Sequence, residues 1–120
     1  MKTFRFLDFP VYKESKLFHQ YCIKITTALP RTYWELGDQL RRAALSICLN
    51  ISEGSAKYSD RDFKRFIENA LGSANESFAC LDIAINQKLI TQKTFLEGQT
   101  LIESITRQLG GLSKKLRAFC

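Results

Sequence analysis

The stretch from Gln39 to Glu76, QLRRAALSICLNISEGSAKYSDRDFKRFIENALGSANE, constrains the fold more than any other part of the chain. Apolar residues recur at helical spacing on both sides of Gly54-Ser55-Ala56. Leu36, Leu40, Ala43, Ile47 and Ile51 precede the turn, with Ala44 widening their face. Phe63, Ile67, Ala70, Ala74, Leu81 and Ile85 follow it, flanked by Phe66 and Phe78. A 3.6-residue period over runs of this length excludes strands. Two amphipathic helices joined by a short turn fold back on each other, and each stripe needs further apolar partners.

The flanking sequence supplies them. Pro10 suits the first turn of a helix, and Val11, Phe18, Cys22, Ile25 and Leu29, with Tyr21 beside them, share one face until Pro30 stops it. Gly98, Ile102, Ile105, Leu109, Leu112, Leu116 and Phe119 alternate by four and three residues, the seam of a closely packed helix. Gly110-Gly111 interrupts that helix at a cost of about 2 kcal/mol relative to alanine, which predicts a kink or a close approach to its outer face. Residues Met1 to Phe9 form an arm whose Phe4, Phe6 and Leu7 are expected to dock on the other helices. The boundary signals are Thr32 to Glu35 as a capping box, Gly54 as a left-handed helix end, Ser59 opening the third helix and Thr91 capping the fourth. The third helix should run to about Gln87. The expected fold is all-α, an antiparallel up-down-up-down four-helix bundle, with residues 1–120 as one domain. A coiled-coil oligomer is the alternative arrangement, and the short connections favour packing within one chain.

Composition narrows the function by exclusion. No apolar run of about 18 residues exists to span a membrane, and Met1 to Pro10 has no continuous apolar segment of the signal-peptide kind. Cys22, Cys48, Cys80 and Cys120 form no C-x-x-C pair, and His19 is the sole histidine. Zinc-ligand spacing, a nucleophilic triad and nucleotide-binding fingerprints are therefore missing. The reading is of no cofactor, no metal, no catalytic residue, hence no enzyme, and of a cytoplasmic protein whose helical cysteines stay reduced.

Charge adds a positive inference. The chain carries a formal +6 and a pI near 9.3. The up-down-up-down order gathers Lys2, Arg5, Lys57, Arg61, Lys64, Arg65, Lys114, Lys115 and Arg117 at one end, nine cations against the four acids Asp8, Glu53, Asp60 and Asp62. Arg41 and Arg42 make a smaller patch toward the other end. A basic end with Tyr58 and Phe119 nearby can hold a phosphate backbone, and Lys57, Arg61, Lys64, Arg65, Lys114, Lys115 and Arg117 are the candidate nucleic-acid contacts. The competing reading is a solvated cap that keeps the protein soluble, the lysines of its fourth helix serving the helix dipole.

A polar stripe borders the core. Gln39, Arg42, Ser46, Asn50 and Glu53 lie within about an 80° arc of the second helix, and Asn69, Ser73 and Glu76 edge the third. Gln39, Arg42, Ser46, Asn50, Glu53, Ser73 and Glu76 are read as a hydrogen-bond network between helices or between subunits, against ordinary solvated surface. A carboxylate site at Glu53 and Glu76 is disfavoured, because bundle metal sites pair Glu-x-x-His and no such pair is present.

The run Leu29-Pro30, Tyr33, Leu36, Gln39-Leu40-Arg41-Arg42-Ala43-Ala44, Ser46-Ile47, Asn50-Ile51, Glu53-Gly54, Ser59, Asp62-Phe63, Ala70, Gly72-Ser73 and Glu76 resembles the bacterial four-helix-bundle proteins of the 23S rRNA intervening-sequence family. Ser52 stands where the family commonly has alanine, and the loop Asn86 to Ile90 lacks an expected glycine. Gly110-Gly111 is unusual as well. Such proteins are encoded within insertions in 23S rRNA genes, and similar ones serve as accessory factors of diversity-generating retroelements, contacting nucleic acid and a reverse transcriptase. The resemblance implies a homopentamer and RNA or DNA binding, and brings no catalytic residues. A non-enzymatic, basic, nucleic-acid-binding oligomer is thus the leading reading, with an oligomeric protein-interaction scaffold as the alternative. Leu45 and Leu49, away from the main stripe of their helix, are candidates for burial between subunits.

Overall fold

The structure, a computed structural model, describes residues 3–117, the last of these in its backbone only. Lys2, Phe119 and Cys120 lie outside the described residues. Four helices make up most of the chain: α1 (Pro10–Thr27), α2 (Trp34–Ser55), α3 (Asp60–Asn86) and α4 (Gln92–Arg117). Single 3-10 turns at Arg5–Asp8 and Arg31–Tyr33 precede α1 and α2. Among the described residues there is no strand.

Contacts between helices fix the topology. Ser46 meets Ser73 and Gln39 meets Glu76, so α2 and α3 run in opposite directions. Glu14 meets Ser104 while Tyr21 meets the Thr94 carbonyl, which sets α1 antiparallel to α4. Phe63 shares a cavity with Leu112 and Leu116 while Phe78 packs on Phe95, which sets α3 antiparallel to α4. The bundle measures 45 × 25 × 21 Å. Its core draws on all four helices, and Phe18, Ile47, Ile51, Ile67, Leu81, Ile105 and Leu109 are completely buried. Each such side chain contributes about 1.5–3 kcal/mol on leaving water. Three polar residues join them. Ser15, Thr26 and Ser77 donate to the carbonyls of Val11, Cys22 and Ser73, one turn back in their own helices. Burial raises the thiol pKa of Cys22, Cys48 and Cys80, Cys48 to about 11.

Two helix starts follow their sequence signals. Ser59 Oγ accepts from the Asp62 amide at 3.1 Å, and Thr91 Oγ1 accepts from the Thr94 amide at 3.1 Å. The capping box at Thr32 does not form. The Tyr33 amide donates to the Pro30 carbonyl, which winds 31–33 into a 3-10 turn and delays α2 until Trp34, with no side-chain cap.

Gly54 differs more instructively. It does not end α2 and has no positive φ; it is buried inside the last helical turn. A Cβ at this position would lie 2.8 Å from Phe66 Cβ and 2.9 Å from Phe63 Cδ1, so the missing side chain lets α3 close against α2. Among the described residues the left-handed one is instead Lys88, at φ 61°. Its amide reaches the Ile85 carbonyl and that of Leu89 reaches Ala84, the paired bonds of a Schellman end for α3. This fills the place of the missing loop glycine. Gly110 and Gly111 neither break α4 nor admit a neighbour, since nothing lies within 4 Å of a Cβ at either position.

The arm departs from expectation too. Phe4 and Leu7 stay exposed, and only Phe6 packs inward, edge-on to Tyr12 at 4.8 Å. What holds the arm is Arg5. Its Nε and Nη2 donate to the Ser55 carbonyl at 3.1 and 2.9 Å, and its guanidinium lies over the rings of Phe9 and Phe63. A cation thereby closes the carbonyl end of α2, where the helix dipole is negative.

Candidate nucleic-acid interface

The elbow between α2 and α3 brings several basic candidates together. Lys57 Nζ and Arg65 Cζ stand 5.0 and 5.5 Å from the centre of the same Phe66 ring. The ring attracts both cations and keeps them at the elbow. Arg61, Lys64 and Arg65 line a shallow depression on α3 with Asp62 and Glu68. Lys64 is drawn into an ion pair with Glu68 at 3.3 Å and is largely covered, while Arg65 is a loose 3.9 Å from Asp62. Glu68, one turn beyond Lys64 and outside the acids counted from the sequence, thus neutralises one of the candidates.

Across the same end, α4 contributes exposed Lys114 and Lys115. Lys115 shares with Arg5, Phe9, Phe63 and Leu112 a cavity of about 390 Å³ between the starts of α1 and α3 and the end of α4. Arg61, Lys114 and Lys115 make no ion pair among the described residues, and Arg117 is described in its backbone alone. Asp60 and Asp62 occupy the first turn of α3, where the helix dipole favours anions.

The polar stripe resolves into a seam between α2 and α3. Ser73 Oγ donates to Ser46 Oγ at 2.9 Å, and Asn50 Nδ2 donates to the carbonyl and hydroxyl oxygens of Ser46 at 2.9 and 3.0 Å. Gln39 Nε2 donates to the Glu76 carboxylate. Two members of the sequence list stand apart. Arg42 pairs along its own helix with Asp38 at 2.9 Å, and Glu53 lines a groove beneath the arm. A second polar cluster joins α1 to α4, where the Glu14 carboxylate accepts from Ser104 and Gln108. Sequence reasoning missed it because Glu14 lies 90 or more residues from its two partners on α4.

The groove under the arm was also hidden. It joins Phe4, Arg5 and Phe6 to Glu53, Ala56 and Tyr58 and encloses about 770 Å³, with the Arg5–Ser55 bond tying its two walls. Tyr58 is fully exposed at 107% and Phe4 at 61%.

The family model for 23S rRNA-intervening sequence proteins matches residues 7–111, nearly the whole described bundle. The chain belongs to this family. A solved structure with the same fold is a protein of unknown function from the S23 ribosomal protein family of Bacteroides thetaiotaomicron VPI-5482. It is 24% identical, with a TM-score of 0.82 over 87% of this chain and 98% of that one. No curated protein matches the chain. The matched residues of this family member include the α2–α3 elbow and end at Gly111, so Lys114 and Lys115 fall beyond the match. Among the described residues no group of three or more His, Cys, Asp and Glu could hold a metal ion, and no helix is long and apolar enough to cross a membrane.

Proposed function

We propose that the protein is a non-enzymatic, basic, oligomeric helical-bundle protein that binds RNA or DNA through its positively charged end. The observation that carries this reading is the set of cations with no acid partner among the described residues, Arg61 on α3 with Lys114 and Lys115 on α4, beside Lys57 and Arg65 on the Phe66 ring. Phosphates would sit against these groups, and the contacts would release counterions. Neutralising four phosphates lowers affinity ~50-fold on a single strand between 50 and 200 mM salt. The resemblance to pentameric relatives suggests that one ring repeats the basic end five times, so that weak contacts add through effective concentration.

Filter binding of a structured RNA at 50 and 200 mM salt tests the reading. Wild-type protein should bind steeply less at high salt. The triple variant Arg61→Glu, Lys114→Glu, Lys115→Glu should lose binding while keeping its helical content. Absence of binding at 50 mM, or binding indifferent to charge reversal, would refute it.

The alternative is an oligomeric protein-interaction scaffold without nucleic-acid binding. Exposed Leu45 and Leu49 on α2, at 42% and 57%, favour a covered helix face. Light scattering across micromolar concentrations decides the assembly. A stable monomer would remove both the oligomer and the role assigned to these leucines.

A further inference from the structure

We propose that the groove between the arm and the α2–α3 elbow is a base-stacking site for single-stranded nucleic acid; the proposal rests on the nucleic-acid reading above. Tyr58 makes no packing contact that covers its ring, and Phe4 stands across the same groove with most of its ring in water. Two open aromatic rings on one groove offer faces on which an unpaired base can stack. The site is built rather than loose. Phe4 leans edge-on against Phe6 at 6.3 Å, Phe6 leans on Tyr12, and Arg5 ties the arm to the end of α2.

The charges around the groove sort the parts of a nucleotide. Lys57, next to Tyr58 in the chain, and Arg65 both lie against the Phe66 ring at the elbow, where they attract a phosphate backbone. Glu53 lies within the groove, where a carboxylate repels phosphate and accepts from the amino group of a base. The base therefore enters the groove and the backbone stays on the elbow. A duplex cannot satisfy this arrangement, because its base faces are already stacked. Unpaired bases can, and aromatic stacking with flanking cations is how single strands are held without sequence preference.

The test uses the full chain with one labelled oligonucleotide, presented as single-stranded RNA, single-stranded DNA and the DNA duplex, at 50 mM salt. Fluorescence anisotropy should show tighter binding of the single strands. Tyr58→Ala together with Phe4→Ala should weaken single-strand binding roughly 5- to 100-fold, leave duplex binding and the salt slope unchanged, and be rescued at position 58 by Tyr58→Phe. Both rings are exposed, so the fold should survive, which circular dichroism checks. Equal losses on single strand and duplex, or no loss on either, would overturn the stacking site. In that case the basic-end reading stands if charge reversal at Arg61, Lys114 and Lys115 still abolishes binding. Wild-type protein that binds none of the three nucleic acids overturns both. A change in subunit number on removing the two rings assigns them to an interface between copies and overturns stacking.

Discussion

Replacing Gly54 by alanine should destabilise the protein, although alanine is the better helix former. The intrinsic gain from glycine to alanine inside a helix is about 1 kcal/mol. Against it stands the new methyl group, 2.8 Å from Phe66 Cβ and 2.9 Å from Phe63 Cδ1. Phe66 Cβ is fixed to the α3 backbone and cannot swing aside, so α2 and α3 must separate at the elbow. Overpacking of this kind costs about 1–3 kcal/mol, and the rigid neighbour places Gly54 in the upper part of that range. The net loss is then about 1–2 kcal/mol, or about 4–8 °C in melting temperature for a chain of this size. Gly111→Ala is the control. A Cβ there meets nothing within 4 Å, so the propensity term acts alone and should stabilise by about 1 kcal/mol. Urea unfolding followed by circular dichroism, at one fixed protein concentration, measures both. Two changes of the same sign would refute the packing argument. A destabilising Gly111→Ala would also show that the outer face of α4 is covered in the native assembly.

Other outcomes follow from the same geometry. Lys88→Gly should stabilise by about 0.5–1 kcal/mol, because φ 61° strains a side-chain-bearing residue; an unchanged urea midpoint would contradict this. Ser73→Ala should cost about 1 kcal/mol by removing the donor to Ser46, and a double-mutant cycle with Ser46→Ala should return a coupling of similar size. Burial, the neighbouring Cys22 and Glu97 push the Tyr21 phenol up to about 12 from 10.0, and Cys48 to about 11 from 9.0 by burial. Both groups favour the neutral form when folded. Their contribution is complete below pH 9, and it falls as pH rises through 9–12, where the unfolded chain releases protons first. Melting temperature should therefore drop steadily from pH 9 to pH 11, and a flat profile over that window would refute it.

What the sequence discloses and what it conceals differ by the range of the forces involved. The core positions of α2, α3 and α4 are legible because an apolar period reports which face leaves water. Ser59 and Thr91 are legible because a hydroxyl two or three residues before an orphan amide acts locally. Thr32 misleads because the Pro30 carbonyl captures the Tyr33 amide first. Gly54 misleads because a tertiary contact, not a turn, requires it. Lys88 gives no local sign of its backbone conformation at all. Of the candidate site, the gathering of cations follows from topology, whereas the ion pair that occupies Lys64 and the groove that joins Phe4 to Tyr58 arise only once α3 and the arm are placed. The polar seam lies between, since its residues are visible on each helix and its pairing needs the register of two.

An even number of antiparallel helices has a consequence for the ends of the chain. Thr3 lines the groove beside the elbow, and α4 finishes on the same side, near the cavity that Lys115 shares with Arg5. Any segment attached before Thr3 or after Arg117 is consequently tethered within reach of the basic end. An acidic purification tag at either terminus would be drawn to these cations. The opposite end, carrying the connections 28–33 and 87–91, is where a label can be placed without entering the surface under test.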